Sequence, residues 1–200
     1  EDAADHNLPL MMWYAVEPFV PLDPPRALDL AAASRIPLVA RYIVRRAAAA
    51  DAWQPLLQRL ATADDPAREW MLEEILAGVA ARGGVVAPPG WEAAVASLRK
   101  SASPTVRRRA DLVALRFGDA AAAAGLRAVL IDRQADAPAR LEAIAGLVAA
   151  KDAATADALC GLVKDPAVCD AVLKAMAALP EEATPEAIVA ACFVPAGSDG

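Results

Sequence analysis

The sequence predicts an all-α fold, a right-handed α-solenoid of helical hairpins. Three observations carry that prediction. First, a short skeleton recurs along the chain. Arg107, Ala110, Ala114, Gly118 and Asp119 return 33 residues later as Arg140, Ala143, Leu147, Lys151 and Asp152. They return 39 residues earlier as Arg68, Met71, Ile75 and Val79, and 62 residues later as Cys169, Val172, Met176, Pro180 and Glu181. Self-similarity at a spacing of about 30 to 40 residues marks stacked helical units. Second, Pro66, Pro104, Pro138 and Pro166 each stand just before one copy, where proline suits the first turn of a helix. Third, 53 of the 200 residues are alanine, the best helix former and a small side chain, so the helices pack closely around a thin core.

Taken in order, Asp5 or Asn7 caps a first helix with Pro9 in its opening turn, and Pro18 ends it. Asp23-Pro24-Pro25 opens a second helix that runs to Ala33. The stretch from Ser34 to Pro37 breaks the chain, and a third helix follows from Leu38 to Ala49. These helices do not follow the later repeat, so residues 1–50 read as an irregular N-terminal helical unit. Asp51 caps a helix from Trp53 to Ala61. Asp65-Pro66 caps a long helix to Arg82, with Trp70, Met71, Ile75 and Val79 as its stripe, and Gly83-Gly84 stops it. Pro88-Pro89-Gly90 is a turn, and Trp91 to Lys100 is helical. Regular helices then cover about 104–117, 119–131, 138–150, 152–163 and 166–178, with a last one starting at Pro185. The repeats span 51–193, and 194–200 is a disordered tail.

Asp119 and Asp152 each precede the first helix of a repeat and read as its caps, beside the positive end of the helix dipole. Arg68, Arg107 and Arg140 fall in the first turn of the second helix. A cation is unfavourable there, so its recurrence implies a bond to an Asp or a carbonyl of an adjacent repeat.

The net charge is −6. That balance lacks the basic footprint of a nucleic-acid binder. Arg107, Arg108 and Arg109 spread around a helix rather than forming a patch, and read as a solvated face with one structural arginine. The longest uncharged run, Ala187 to Ser198, is too short to span a bilayer. Cys160, Cys169 and Cys192 make no Cys-x-x-Cys or Cys-x-x-Cys-His motif, so neither zinc nor covalent haem is encoded. They read as small buried residues, although Cys160 and Cys169 fall on two helices of one repeat, where a disulfide is geometrically conceivable. His6 is the single histidine. Its neighbours Glu1, Asp2 and Asp5 make a poor metal site, and a cap or inter-domain hydrogen bond suits it better. Glu73-Glu74 and Glu181-Glu182 are adjacent on their helices and do not face each other as a proton-sharing pair would. No cofactor is expected.

One segment departs from ordinary amphipathic patterning. Leu8, Leu10, Met11, Met12, Trp13, Tyr14, Val16 and Phe19 cover nearly the whole circumference of the first helix, whereas resting on a core needs a stripe of about 100°. Some of Met11, Met12, Trp13, Tyr14 and Phe19 are therefore expected to form an exposed apolar patch, a candidate interface to which His6 also belongs.

The second-helix pattern, Val-Arg-x-x-Ala ending in Gly-Asp, resembles HEAT and HEAT-like repeats. The stretch from Asp5 through His6 to Tyr14, with Glu17-Pro18 and the run from Ile36 to Arg46, resembles the helical segment of large multidomain proteins of planctomycetes and verrucomicrobia. Those proteins are described as membrane-bound dehydrogenase-like or haem-binding. In them a sugar-dehydrogenase-like β-propeller precedes the HEAT-like segment and a c-type cytochrome domain follows. The resemblance implies a fragment of an exported, periplasmic redox protein, acting as a non-catalytic scaffold between those two domains. It implies that the propeller covers the patch on the first helix. No catalytic or haem-ligand residue of the family has a counterpart here. The alternative is an independent adaptor that binds a protein or peptide on its concave face. An enzyme of the helical-repeat lyase or glycosylase type would need an acid or histidine facing a basic groove, and the sequence offers none. Expected partners are neighbouring domains or another protein.

Overall fold

The computed structural model describes residues 5, 7–82 and 85–178. Among them the chain is all-α, with eleven α-helices and no strand. The helices are α1 (Leu8–Val16), α2 (Pro24–Ala33), α3 (Pro37–Ala49), α4 (Trp53–Thr62), α5 (Asp65–Val79), α6 (Trp91–Leu98), α7 (Pro104–Arg116), α8 (Ala120–Ile131), α9 (Ala137–Ala149), α10 (Thr155–Cys160) and α11 (Cys169–Ala178). His6, the Gly83-Gly84 stop, Glu181-Glu182, the segment from Pro185, Cys192 and the tail 194–200 lie outside the described residues.

Two compact units divide the chain, Glu1–Gly118 and Asp119–Gly200. In the first, α3, α5 and α7 lie side by side, and α2, α4 and α6 form a second row beside them. Helix α1 lies on α3. Packing runs straight through the boundary placed at residue 50, because α3 makes its most extensive contact with α5. Gly78 permits that approach: a Cβ added there would stand 2.5 Å from the Arg45 carbonyl oxygen and 2.9 Å from the Ala48 Cβ. In the second unit α8 packs on α9, α10 on α8 and α11, and α9 on α11.

The recurring skeleton is the interior of these rows. Ala110, Ala114, Ala143, Leu147, Val172 and Met176 are all buried. Their spacing puts them on one helix face, which is why the repeat was visible as a hydrophobic register. The fourth skeleton position is a helix stop. Gly118 has φ 83° and Lys151 has φ 55°, each two residues past the end of its helix, and Asp51 after α3 has φ 58°. The next amide then closes back on the helix, Ala52 N–H on Ala47 O at 3.0 Å and Asp152 N–H on Leu147 O at 3.1 Å. Only Gly118 takes the left-handed conformation without a Cβ penalty.

Helix starts follow the expected chemistry with three corrections. Asp23, Ser103, Asp119 and Asp136 accept from backbone amides in the first turns of α2, α7, α8 and α9. Asp64, not Asp65, caps α5, because Asp65 already lies in the helix and takes Ser101 Oγ and Arg68 instead. Asp51 does not cap α4. Its carboxylate accepts from the Trp53 indole N–H at 2.9 Å and from both terminal nitrogens of Arg82 at 2.6 and 2.9 Å. Asp152 does not cap α10. It accepts from Arg127 Nη1 at 2.6 Å and from the Thr155 hydroxyl at 2.6 Å. Drawn to these partners, it leaves the helix to begin only at Thr155. Past Cys160 the chain passes into a tighter turn, with Leu162 N–H on Leu159 O. Gly161, a poor helix residue, sits at that change, and α10 is six residues long rather than spanning 152–163.

The recurring arginines seal helix ends. Arg68 donates from Nε to Leu60 O at 3.0 Å and from Nη2 to Ala61 O at 3.1 Å. Arg107 donates from Nη1 to Ser101 O at 2.6 Å and Ala102 O at 3.0 Å. Arg140, 2% exposed, donates from Nε to Leu130 O at 3.0 Å. The carbonyls belong to the helix or turn just before the arginine, not to an adjacent repeat. The Arg68 and Arg140 guanidinium groups thus meet the negative end of the preceding helix, which offsets their place in the first turn of their own, and Arg107 meets carbonyls of the turn after α6. Arg140 alone also reaches one hairpin onward, to Asp165 Oδ2 at 2.7 Å.

These bonds make the second unit acid-sensitive. The Arg140 guanidinium and the Ala167 amide hold the Asp165 carboxyl below its ordinary value of 3.8. Burial pushes Asp152 up, but the Thr155 hydroxyl and Arg127 outweigh it, and the net shift is also downward. A carboxyl whose folded pKa lies below its unfolded one stabilises the fold above the unfolded value and stops doing so as pH falls through the folded one. The urea midpoint of residues 119–200 should therefore hold from about pH 7 to about pH 5 and fall below about pH 4. Asp165→Asn should lower the neutral midpoint and flatten the acid limb. An acid limb identical to wild type would show that Asp165 is not responsible.

Candidate functional site

The N-terminal helix is the most unusual surface in the first unit. Asp5 accepts from the amides of Asn7 and Leu8, both at 2.8 Å, and these bonds hold its carboxyl below the usual value. They start α1 at Leu8, and Pro9 is its one buried residue. One side of the helix rests on α3. There Trp13 meets Tyr42 edge-on, with ring centroids 5.4 Å apart. The Tyr42 ring in turn carries the Arg45 guanidinium at 5.1 Å. The other side faces outward: Met11 and Tyr14 are 66% exposed and Met12 is 39% exposed. Trp13 and Phe19 are half-buried, with Arg26 over the Phe19 ring at 6.0 Å. Met11 and Tyr14 are three residues apart, so they share one face.

Beside α1 a row of charges crosses α3, α5 and α7. Glu74 is 1% exposed and accepts from Arg41 Nε at 2.6 Å and Arg45 Nε at 2.7 Å. Glu73 takes Arg41 Nη2 at 2.9 Å and Arg109 Nη1 at 3.2 Å. Arg109 also donates to Glu69 O at 2.8 Å. The two adjacent glutamates therefore do not form a proton-sharing pair; each is a hub between arginines. Nor are Arg107 and Arg109 a solvated face, since each is spent on a specific acceptor.

Two cavities flank this row. The larger, about 580 Å³, lies among α2, α3, α4 and α5, with Leu28, Ala31, Val44, Trp70 and Met71 in its wall. Its charged groups are already engaged: Arg41 by Glu73 and Glu74, Arg59 by Asp29, and Asp64 by the Ala67 amide. The second, about 430 Å³, is bounded by Trp13, Glu17, Tyr42, Arg45, Arg46 and Gly78. Among the described residues Arg45 spends only Nε in a hydrogen bond, on Glu74. Arg46 Nε is buried without a hydrogen bond and lies 3.6 Å from Glu17 Oε1. This cleft holds polar capacity that the fold does not use.

Cys160 and Cys169 are free and half-buried. Among the described residues no cluster of His, Cys, Asp and Glu is suited to a metal, and no helix is long and apolar enough to cross a membrane. No protein-family model matches the chain, and no curated protein matches it.

Proposed function

We propose that the chain is a non-catalytic interaction module, a right-handed HEAT-like solenoid that links a dehydrogenase-like β-propeller to a c-type cytochrome domain in a larger exported redox protein. The observation that supports this reading is the outward face of α1. A helix anchored by Trp13 on Tyr42 leaves Met11, Met12 and Tyr14 to solvent, and large contiguous apolar exposure is a feature of interaction sites. The first helix is where an upstream domain would dock. Within each unit neighbouring hairpins pack on one another, which stiffens that unit as a spacer requires.

Hydrogen exchange tests it. In the parent protein, residues 8–19 should exchange at least about tenfold more slowly than in the 200-residue chain, because docking suppresses local opening of a terminal helix. Equal exchange in both would remove the docking role from α1.

A further inference from the structure

We propose that the cleft between α1 and α3 binds an acidic segment of a partner protein, with a carboxylate on Arg45 and Arg46 and an apolar side chain against Trp13 and Tyr42. The inference rests on the interaction-module reading and names the chemistry of the partner.

Charge complementarity points to this occupant. Two guanidinium groups line the cleft and one carboxylate, Glu17, faces them. Glu74 lies beneath and takes Nε of Arg45, but it is shared with Arg41, and no other nitrogen of Arg45 is hydrogen-bonded among the described residues. Arg46 is shorter still of partners. Its Nε is shielded from water, makes no hydrogen bond, and stands too far from Glu17 for one. The terminal nitrogens of Arg45 and Arg46 make no hydrogen bond among the described residues, and an entering carboxylate takes them with charge-assisted bonds. The local cations are not the by-product of a basic unit. Acids and bases balance within residues 1–118, and the whole net charge of −6 falls in residues 119–200.

The apolar half of the site is continuous with the polar half. Trp13 and Tyr42 wall the cleft beside Arg45 and Arg46. A ligand of the right class therefore carries a carboxylate next to a large apolar side chain. Aromatic walls and arginines are also the residue types that dominate binding energy at protein interfaces.

The test is an array of hexapeptides permuting Asp, Glu, Phe and Leu, beside the same array with Lys replacing each acid. The full chain is probed against it, and the strongest binders are titrated by amide and side-chain NMR. Acidic peptides should shift the Trp13 indole and Arg46 Nε resonances, and the Lys array should not bind. Arg46→Gln should weaken the best acidic peptide about tenfold, the loss of one charge-assisted hydrogen bond. Met11→Ser, on the outward side of α1, should leave it unchanged. Arg46 makes no hydrogen bond among the described residues, only a 3.6 Å ion pair with Glu17, so its variant stays folded even if an Arg45 variant does not. Equal binding of the two arrays, no binder in the acidic array, or an unaltered affinity in Arg46→Gln would each overturn the inference. Failure of the peptides with α1 still protected in the parent protein would sink the acidic-partner inference and leave the interaction-module reading standing. The opposite pair of results would do the reverse.

Discussion

Replacement of Ala143 by glutamate is expected to unfold the second unit at room temperature. Ala143 has no exposed surface and sits at a skeleton position where α9 packs on α8 and α11. A glutamate there must bury its charge unpaired or push the helices apart. Either costs on the order of 4 kcal/mol or more, a large part of what holds a small domain together. The helical circular-dichroism signal should fall by the share belonging to residues 119–178, while amides of α3 and α5 keep their exchange protection. Ala143→Ser, which adds one hydroxyl able to bond back to its own helix, should cost far less. A glutamate variant that melts at the wild-type temperature would show that position 143 is not interior.

The second large effect is expected at Glu74. Its carboxylate is enclosed and joins Arg41 and Arg45 of α3 to α5. Breaking a fully buried ion pair costs about 3 to 5 kcal/mol. Here the arginine side chains are 36% and 45% exposed, so their released charges regain some water. Glu74→Ala should therefore cost about 2 to 3 kcal/mol, below that range. Glu74→Gln should cost less than Glu74→Ala, because one acceptor and the side-chain volume remain. Urea unfolding of residues 1–118 reads the difference. A loss below about 1 kcal/mol in Glu74→Ala would place the pair among surface salt bridges, which contribute little.

What the sequence made legible was whatever repeats or is local. The skeleton of Ala110, Ala114, Ala143 and Leu147 is periodic, and periodicity is a direct image of a buried face. Asp119 caps its helix through partners two or three residues away, so the chemistry is contained in a short window. What stayed hidden was decided by residues about 30 to 40 positions apart, such as Arg41 with Glu74 and Arg109 with Glu73. Glu73-Glu74 taken alone shows only adjacency, and nothing local says that arginines from two other helices converge on it. Distance also explains the errors over Asp51 and Asp152. Each precedes a helix and has the right side chain for a cap, but Arg82 and Arg127 bind more strongly than a backbone amide and draw the carboxylate away. Phe117, just past the end of α7, is edge-on to both Trp53 of α4 and Trp91 of α6 at 5.4 and 5.0 Å and was invisible for the same reason.

The arginine seals have an evolutionary corollary. Arg68 and Arg140 close the helix before them and Arg107 the turn before it, so three successive hairpins each carry their own plug. A gene segment copied from the start of one hairpin to its end brings both the open carbonyls and the guanidinium that covers them. Duplication or loss in that frame leaves no helix end uncovered. A segment cut half a hairpin out of frame separates plug from socket and leaves carbonyls bare. The arginine thus defines the reading frame in which such a chain can lengthen or shorten by whole modules.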